Sequence, residues 1–498
     1  MPPLTARQRA ALTVALSLAV FMNVLDLSIA NVAIPDMAGE LGTSADQGTW
    51  VITSFAVSAA IAMPLTGWLG RRFGEVRVFL VCTAMFTLAS FLCGLASNLA
   101  MLIAMRTFAG VFAGPMIPLS QSLLLNNYPE DRKSLALGLL MMVTIVAPVL
   151  GPVLGGWITD NWNWAWIFYI NVPVGIVATL LAAVLLRDRE TPTSRPPVDF
   201  VGIGLLALGI GSLQVLLDRG KDLDWFGSGT IVALGVIALV ALAFFVAWEL
   251  TAEQPAVDLT LFARRNFTAG TLALCLGFFA YFGNIVLLPL WLQTQMGYTA
   301  TWAGIATAPV GILPLALVVL VSRYTGRIDL RWVSTASFCA LGLASFWFAG
   351  FNTEVSFSMI AWSRFAQGAG LALFFVPLMS ILLSGLPPNR LASASGLANT
   401  LRTIAGSFAT SLSTTWWDRR EALHQSQLTE SITAFNPLVQ LQGDSAFALL
   451  QRSIVQQAYM LATNDLFWLW GWSFLALIAV VWFARPPFSA AGGHAASD

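Results

Sequence analysis

The stretch FMNVLDLSIANVAIP, residues 21–35, sets Asp26 near the middle of an apolar run that begins at about residue 11. A charge at the centre of a membrane-crossing helix costs about 2.5–3.5 kcal/mol on insertion scales. Either the run is no membrane helix, or its carboxyl group has a purpose. Composition decides for the membrane: of 498 residues, 57% are hydrophobic and 10% charged, against roughly 25% charged in an average soluble domain. The formal net charge is zero, which gives no electrostatic argument for nucleic acid or another polyanion. Arg7 and Arg9 precede the run without a small-residue cleavage site, so it reads as a retained span and not as a signal peptide.

Windows of about 20 apolar residues, the length that crosses the hydrocarbon, recur fourteen times. They lie near 11–34, 50–70, 77–97, 99–120, 134–158, 164–186, 199–217, 228–248, 267–292, 301–321, 332–350, 357–381, 392–416 and 466–484. The expected fold is an all-α polytopic membrane protein in which short loops join antiparallel helices, with one long polar outer loop at 417–464. With the N-terminus inside, seventeen of the 25 Lys and Arg fall at inner ends and loops, among them Arg71, Arg72, Arg132, Lys133, Arg195, Arg323, Arg327 and Arg390. Five fall outside, three of them in the long loop. The positive-inside rule then puts both termini in the cytoplasm.

A shift of 258 residues lays Arg106 on Arg364, Gly110 on Gly368, Pro129 on Pro387, Arg132 on Arg390 and Gly138 on Gly396, without gaps. It also lays Asp26 on Asn284. Such an offset marks two halves of one design: residues 1–190 form a first six-helix bundle and 263–498 a second, with two inserted helices in 191–262. Repeats facing each other across a central site are the usual build of secondary transporters. No GxxxxGK[ST] loop is present, so energy must come from an ion gradient or a partner.

Four motifs, in order, carry a resemblance: LDLSIANVAIP in the first span, the arginine of RTFAG in the fourth, APVLGPVLGG in the fifth and WNWAWIFYINVPVG opening the sixth. Together they resemble the fourteen-helix drug/proton antiporter branch (EmrB/QacA type, nearest to EmrB-like members) of the major facilitator superfamily, itself a type case of such repeats. The resemblance implies the major facilitator fold, two six-helix bundles plus two inserted helices, in the cytoplasmic (inner) membrane. It implies proton-coupled multidrug efflux by alternating access, without a cofactor other than the proton gradient. In a host with two membranes it also implies a periplasmic adaptor protein and an outer-membrane channel. Gly67, Arg71, Arg72 and Gly74 in GWLGRRFG look like the superfamily's inner-loop signature. Arg71, however, stands where many members carry an aspartate that helps to lock the inner gate; Glu75 or another acid is the candidate replacement.

Within this frame Asp26 is the expected proton carrier. Burial favours a neutral acid and a nearby arginine favours the anion, so an acid between those influences can exchange protons as its exposure changes. The structural alternative is a permanently neutral acid that caps a kink or hydrogen-bonds a neighbouring helix. At 1.5 Å per residue, Asp26 lies roughly 22 Å from the inner end of its helix and Arg106 roughly 10 Å from the outer end of its own. In a core of about 30 Å those depths nearly coincide. Asn23, one turn before Asp26, is a candidate hydrogen-bond partner.

At the symmetric level the second half offers Asn284, Arg364 and Arg402 but no acid; Glu249 and Asp258 lie only near an inner end. Two arginines without a protein counter-ion favour neutral or weakly anionic lipophilic substrates, with Phe278, Tyr281 and Phe374 as candidate stacking contacts. Pro148, Gly151, Pro152, Gly155 and Gly156 suit a helix that bends and packs closely, the part the resembling antiporter motif plays between halves. Trp162, Trp164, Trp166, Trp468, Trp470 and Trp472 read as interfacial anchors. Residues 447–461 have helical apolar spacing and could lie on the outer surface or dock a partner, and the last ten residues read as disordered. The four cysteines lie singly in apolar runs, and His424 and His494 stand outside the spans, so neither a metal site nor an enzyme's catalytic constellation is visible. Two rival readings are an exporter dedicated to one endogenous metabolite or antibiotic, and a membrane receptor or scaffold that moves nothing.

Overall fold

A computed structural model describes residues 4–129, 132–194, 197–253, 255–325, 328–430 and 444–488. Arg195, Arg327 and 489–498, with His494, lie outside the described residues, as do the side chains of Pro152, Arg323 and Phe447. The described residues are helices and their connections. The helices that matter below are α1 (Ala6–Val32), α2 (Trp50–Ala62), α3 (Thr66–Phe73), α4 (Glu75–Gly94), α5 (Leu99–Asn127), α6 (Lys133–Asn161) and α7 (Asn171–Leu185). There follow α8 (Phe200–Arg219), α9 (Gly229–Thr251), α10 (Arg265–Thr294), α11 (Ala300–Thr307), α12 (Ile312–Thr325), α13 (Leu330–Phe348), α14 (Phe357–Ala372), α15 (Phe375–Leu383), α16 (Leu391–Glu430) and α17 (Asp444–Trp482).

All fourteen expected windows are helical. Among the described residues nine helices are long and apolar enough to cross a membrane, and two bent pairs, α2 with α3 (58°) and the two parts of α6 (45°), would each add one. The other windows are helical for a different reason than bulk apolarity. One, 301–321, is broken into α11, a 3-10 turn and α12, while α13 and α16 carry buried Ser334, Ser337 and Ser345, and Ser393, Ser395 and Asn399. Such small polar side chains suit helix-to-helix contact inside a bundle. Leu180, Leu239, Phe244 and Leu343 are exposed on outward faces, where a lipid solvent would meet them. The chain is thus a multi-pass membrane protein.

Local chemistry sets the ends. Thr5 and Gln8 form a capping box at α1, and Asn98 accepts from Met101 N–H to open α5. Pro115 and Pro118 remain inside α5, as neighbouring helices permit in a membrane bundle. Between α3 and α4 the chain turns at Gly74 with φ +93°, a region open to glycine. A Cβ there would stand 2.3 Å from the Glu190 carboxyl carbon. That carboxylate accepts from Val76 N–H at 2.9 Å and Arg77 N–H at 3.0 Å, capping α4.

The pairings follow the repeat. In the first half α1 packs on α6 and α7, α2 on α5, and α4 on α5 and α7; in the second, α10 packs on α16, α17 and α15, and α13 on α14 and α17. Helices α8 and α9 pack on each other, and α8 also touches both α2 and α16. Across the halves, α16 lies on α3 and α5, and α6 lies on α12.

Two expectations need correction. The stretch 417–464 is not a loop in its described part: α16 runs on to Glu430 and α17 begins at Asp444. The two extensions hold each other through Trp417 Nε1 donating to Thr463 Oγ1 at 2.9 Å, a Trp417–Tyr459 ring contact, and Arg420 and His424 on Asp465. Residues 448–461 belong to the long helix α17 and do not lie apart as a separate surface segment. Of the tryptophans, Trp164 and Trp470 are buried; Trp164 Nε1 donates to Glu40 at 2.8 Å, so they pack the bundle, while their exposed neighbours remain available for an interfacial role.

Candidate functional site

Asp26 and Arg106 meet. Arg106, on α5, donates through Nη1 to Asp26 Oδ2 on α1, and the two side chains are 1% and 0% exposed. The guanidinium is held from other sides as well: Nε donates to Val51 O at 3.0 Å, and its carbon lies 4.2 Å from the Phe55 ring centre and 5.5 Å from that of Phe168. Its remaining Nη2 has no partner among the described residues. Asp26 Oδ1 accepts from Asn171 Nδ2 at 3.0 Å, and Asn171 also reaches Ser90 Oγ at 3.4 Å. Asp26 thus faces neither lipid nor open water. A buried carboxylate needs such partners, because an unpaired charge would cost several kcal/mol.

Asn23 is not among them. Its amide donates to Ala113 O on α5 at 2.7 Å: the one-turn spacing puts it on the same helix face, but a backbone carbonyl of the neighbouring helix is its partner instead. The partner that takes its place, Asn171, lies inside WNWAWIFYINVPVG. Its signal was the same as that of Asp26, a polar side chain in an apolar run.

The second half repeats the geometry with the charge removed. Arg364 Nη1 on α14 donates to Asn284 Oδ1 on α10 at 2.7 Å and also to Gln367 Oε1, with its carbon 5.4 Å from the Phe348 ring centre. Asn284 Nδ2, Gln367 Nε2 and Arg364 Nε have no partner among the described residues. Arg402, on α16, is different again. It makes no hydrogen bond or ion pair among the described residues, Nε is unpartnered, and its guanidinium lies 5.2 Å from the Phe278 ring centre. Phe278 stacks on Phe282 at 5.2 Å. Phe374 and Tyr281 are buried in the bundle; Phe374 packs edge-on to Phe338 and fills the space a Cβ of Gly277 would occupy. Of the three candidate aromatic contacts, Phe278 is the one whose ring lies against Arg402.

Glycines make the close crossings. A Cβ on Gly151 would lie 1.9 Å from Ser28 Oγ, and one on Gly155 3.0 Å from Ile29 O, so α6 rests on α1 one turn beyond Asp26. The α6 bend falls between Pro148 and Val153, and Gly156 is partly exposed. At the other end, a Cβ on Gly67 would lie 1.9 Å from Ser393 Oγ and 2.7 Å from its Cα, and one on Gly396 2.9 Å from Met63 O. Arg71 Nη1 donates to Ser393 Oγ at 3.1 Å, and Asn399 Nδ2 to Gln121 Oε1 at 2.9 Å. The two halves are closed on each other along α3, α5 and α16. Arg72 stacks on Trp68, 5.5 Å from ring to cation. Glu75 does not face Arg71's partner: it is buried and accepts from Ser122 at 2.7 Å. Among the described residues no group of three or more His, Cys, Asp or Glu is placed to hold a metal, and the cysteines are free.

The family model described as Major Facilitator Superfamily matches residues 16–410. The chain is 52% identical over 502 residues to the multidrug export protein EmrB of Escherichia coli (strain K12), covering 99% of this chain and 98% of that protein. To the fatty acid resistance protein FarB of Neisseria gonorrhoeae it is 47% identical, covering 99% of each. Among solved structures, the proton:xylose symporter XylE bound to 6-bromo-6-deoxy-D-glucose superposes with a TM-score of 0.61 at 13% identity over 96% of each chain. The human organic anion transporter MFSD10 gives 0.62 at 14%, over 96% of this chain and all of that one. The structural likeness extends to the fold.

Proposed function

The chain belongs to the Major Facilitator Superfamily and is an EmrB-like multidrug efflux transporter, not an enzyme; on that premise we propose how its residues couple export to protons. Residues 1–190 and 263–498 are the two bundles that rock, and 191–262 is the inserted pair. Both termini lie in the cytoplasm and the membrane is the cytoplasmic one. The observation that carries the reading is the buried Asp26–Arg106 contact, repeated as the neutral Asn284–Arg364 contact in the other half.

Asp26 as an anion holds Arg106 and Asn171, tying α1 to α5 and α7. A proton on Asp26 cancels the attraction to Arg106 and leaves the guanidinium held by Val51 O and the Phe55 face, which it already touches. Fully enclosed as it stands, Asp26 exchanges protons only when the bundles tilt and admit water. Proton entry from outside and release inside then drive the cycle, since each protonation state favours a different packing. Inner-seam contacts at Gly67, Ser393 and Gly396 describe the state closed toward the cytoplasm.

Arg402 and Phe278 present a cation and a ring face without a carboxylate, the chemistry that suits neutral or weakly anionic lipophiles. Asn23, Asn284, Arg364, Tyr281 and Phe374, buried in the bundle, are the other substrate-binding candidates, to be reached when the halves part. The relative FarB is named for resistance to fatty acids, which are lipophilic anions, and this supports an anion-tolerant site here. The paired extensions of α16 and α17 rise from the outer face, where a periplasmic adaptor leading to an outer-membrane channel would meet the transporter.

The test is uptake of a lipophilic dye and of a medium-chain fatty acid into inverted vesicles with an imposed pH gradient. Uptake should stop when a protonophore collapses the gradient. Persistent uptake would refute proton coupling, and no flux from purified protein in liposomes would favour a receptor or scaffold.

A further inference from the structure

Arg71 of the inner-loop motif lies close to where an acid of the inserted segment meets the second half. Asp258, in the turn that leaves α9, lies 3.5 Å (Oδ2) from Arg390 Nε at the start of α16. Asp258 also attracts the Arg71 guanidinium, and Arg390 repels it. Arg71 in turn donates to Ser393, one turn into α16. Three charged groups from three parts of the chain therefore converge where the halves close: Arg71 from the first, Arg390 from the second, Asp258 between them.

The surrounding backbone explains why Asp258 stays there. Buried Glu249, near the end of α9, accepts from Val257 N–H at 3.1 Å and so pins the residue before Asp258. At the entrance to the inserted pair, Ser194 N–H donates to Arg71 O at 2.9 Å and Trp68 Nε1 to Pro197 O at 3.0 Å. The inserted pair is thus tied to the first half where it begins and to the second where it ends.

We propose that Asp258 is a positioning residue for transport: it holds Arg390 and draws Arg71, closing the inner seam from the inserted helices. This rests on the alternating-access reading above. Opening toward the cytoplasm then requires Arg390 to leave Asp258, and the inserted pair biases which way the transporter faces.

The test uses a full-length background in which Cys82, Cys93, Cys275 and Cys339 are replaced by alanine, with Thr66→Cys as reporter; Thr66 is fully buried at the seam. Labelling by a membrane-impermeant maleimide from the cytoplasmic side reports inner opening. Asp258→Asn should raise the labelling rate about fivefold, Arg390→Gln similarly, and the double variant no more than either alone. Asp258→Glu, which keeps the charge, should label slowly, separating loss of the pair from misfolding. An unchanged rate in Asp258→Asn, or additive effects in the double variant, would overturn the proposal. A background reporter whose labelling ignores both substrate and pH gradient would instead overturn alternating access itself.

Discussion

Arg106 on α5 is bonded to Asp26 on α1 with both side chains removed from solvent, while Arg364, 80 residues after Asn284 just as Arg106 follows Asp26, is bonded to an amide. One chain thus contains both a charged and a neutral version of the same contact. The difference between them is the group able to take up a proton.

The neutral version shows that an arginine at this level tolerates an amide oxygen. Asp26→Asn should therefore fold, losing less stability than Arg106→Leu, which leaves a buried carboxylate facing Asn171 alone. Breaking a buried ion pair from one side typically costs about 3–5 kcal/mol. Thermal unfolding in detergent should rank wild type, Asp26→Asn and Arg106→Leu in that order; the reverse order of the variants would contradict the pairing argument.

Asn171 holds the second oxygen of Asp26. Asn171→Leu should lower gradient-driven transport about tenfold, because a lost bond to a charged group is worth about 1.5–3 kcal/mol, and Asn171→Asp should be worse for placing two anions in contact. Initial rates at matched expression decide this. A Leu variant with full activity would show that Asn171 merely fills space.

Gly67 allows α3 to touch the backbone of α16 at Ser393. Gly67→Val should hold the inner seam apart, with an overpacking cost of about 1–3 kcal/mol, and raise cytoplasmic labelling of a cysteine at Thr66. Adding Ser393→Gly should restore part of the closure, since it removes the atoms that the new Cβ meets first. Normal labelling in Gly67→Val would separate the motif from the seam.

Arg402 lacks both an ion pair and a hydrogen bond among the described residues and lies against the Phe278 ring. Arg402→Gln should weaken export of lipophilic carboxylates by about tenfold or more, given the worth of a charge-assisted contact, and leave neutral dyes within about twofold. Equal losses for both classes would move Arg402 from substrate selection to structure.

Much of this is legible in the sequence. Depth counting brought Asp26 and Arg106 to one level because a helix rises regularly, and the 258-residue shift put Asn284 opposite Arg364 because duplicated halves keep their pairings. Asn23 misled, since sharing a helix face says nothing about competing carbonyls on the neighbouring helix. Asn171 stood in a quoted motif but needed a third helix, α7, to be placed. The pairing of Asp258 with Arg390 joins residues far apart along the chain, across a seam that no local spacing marks. The polar stretch after Trp417 read as loop because its side chains are hydrophilic; it is helical in its described part because two such helices satisfy each other through Thr463 and Asp465.

The central claim, that proton uptake at Asp26 drives export, is tested most directly by comparing wild type with Asp26→Asn in inverted vesicles under an imposed pH gradient, with dye binding measured in parallel. The account predicts that the variant still binds dye and no longer responds to the gradient. Gradient-driven accumulation equal to wild type would contradict it.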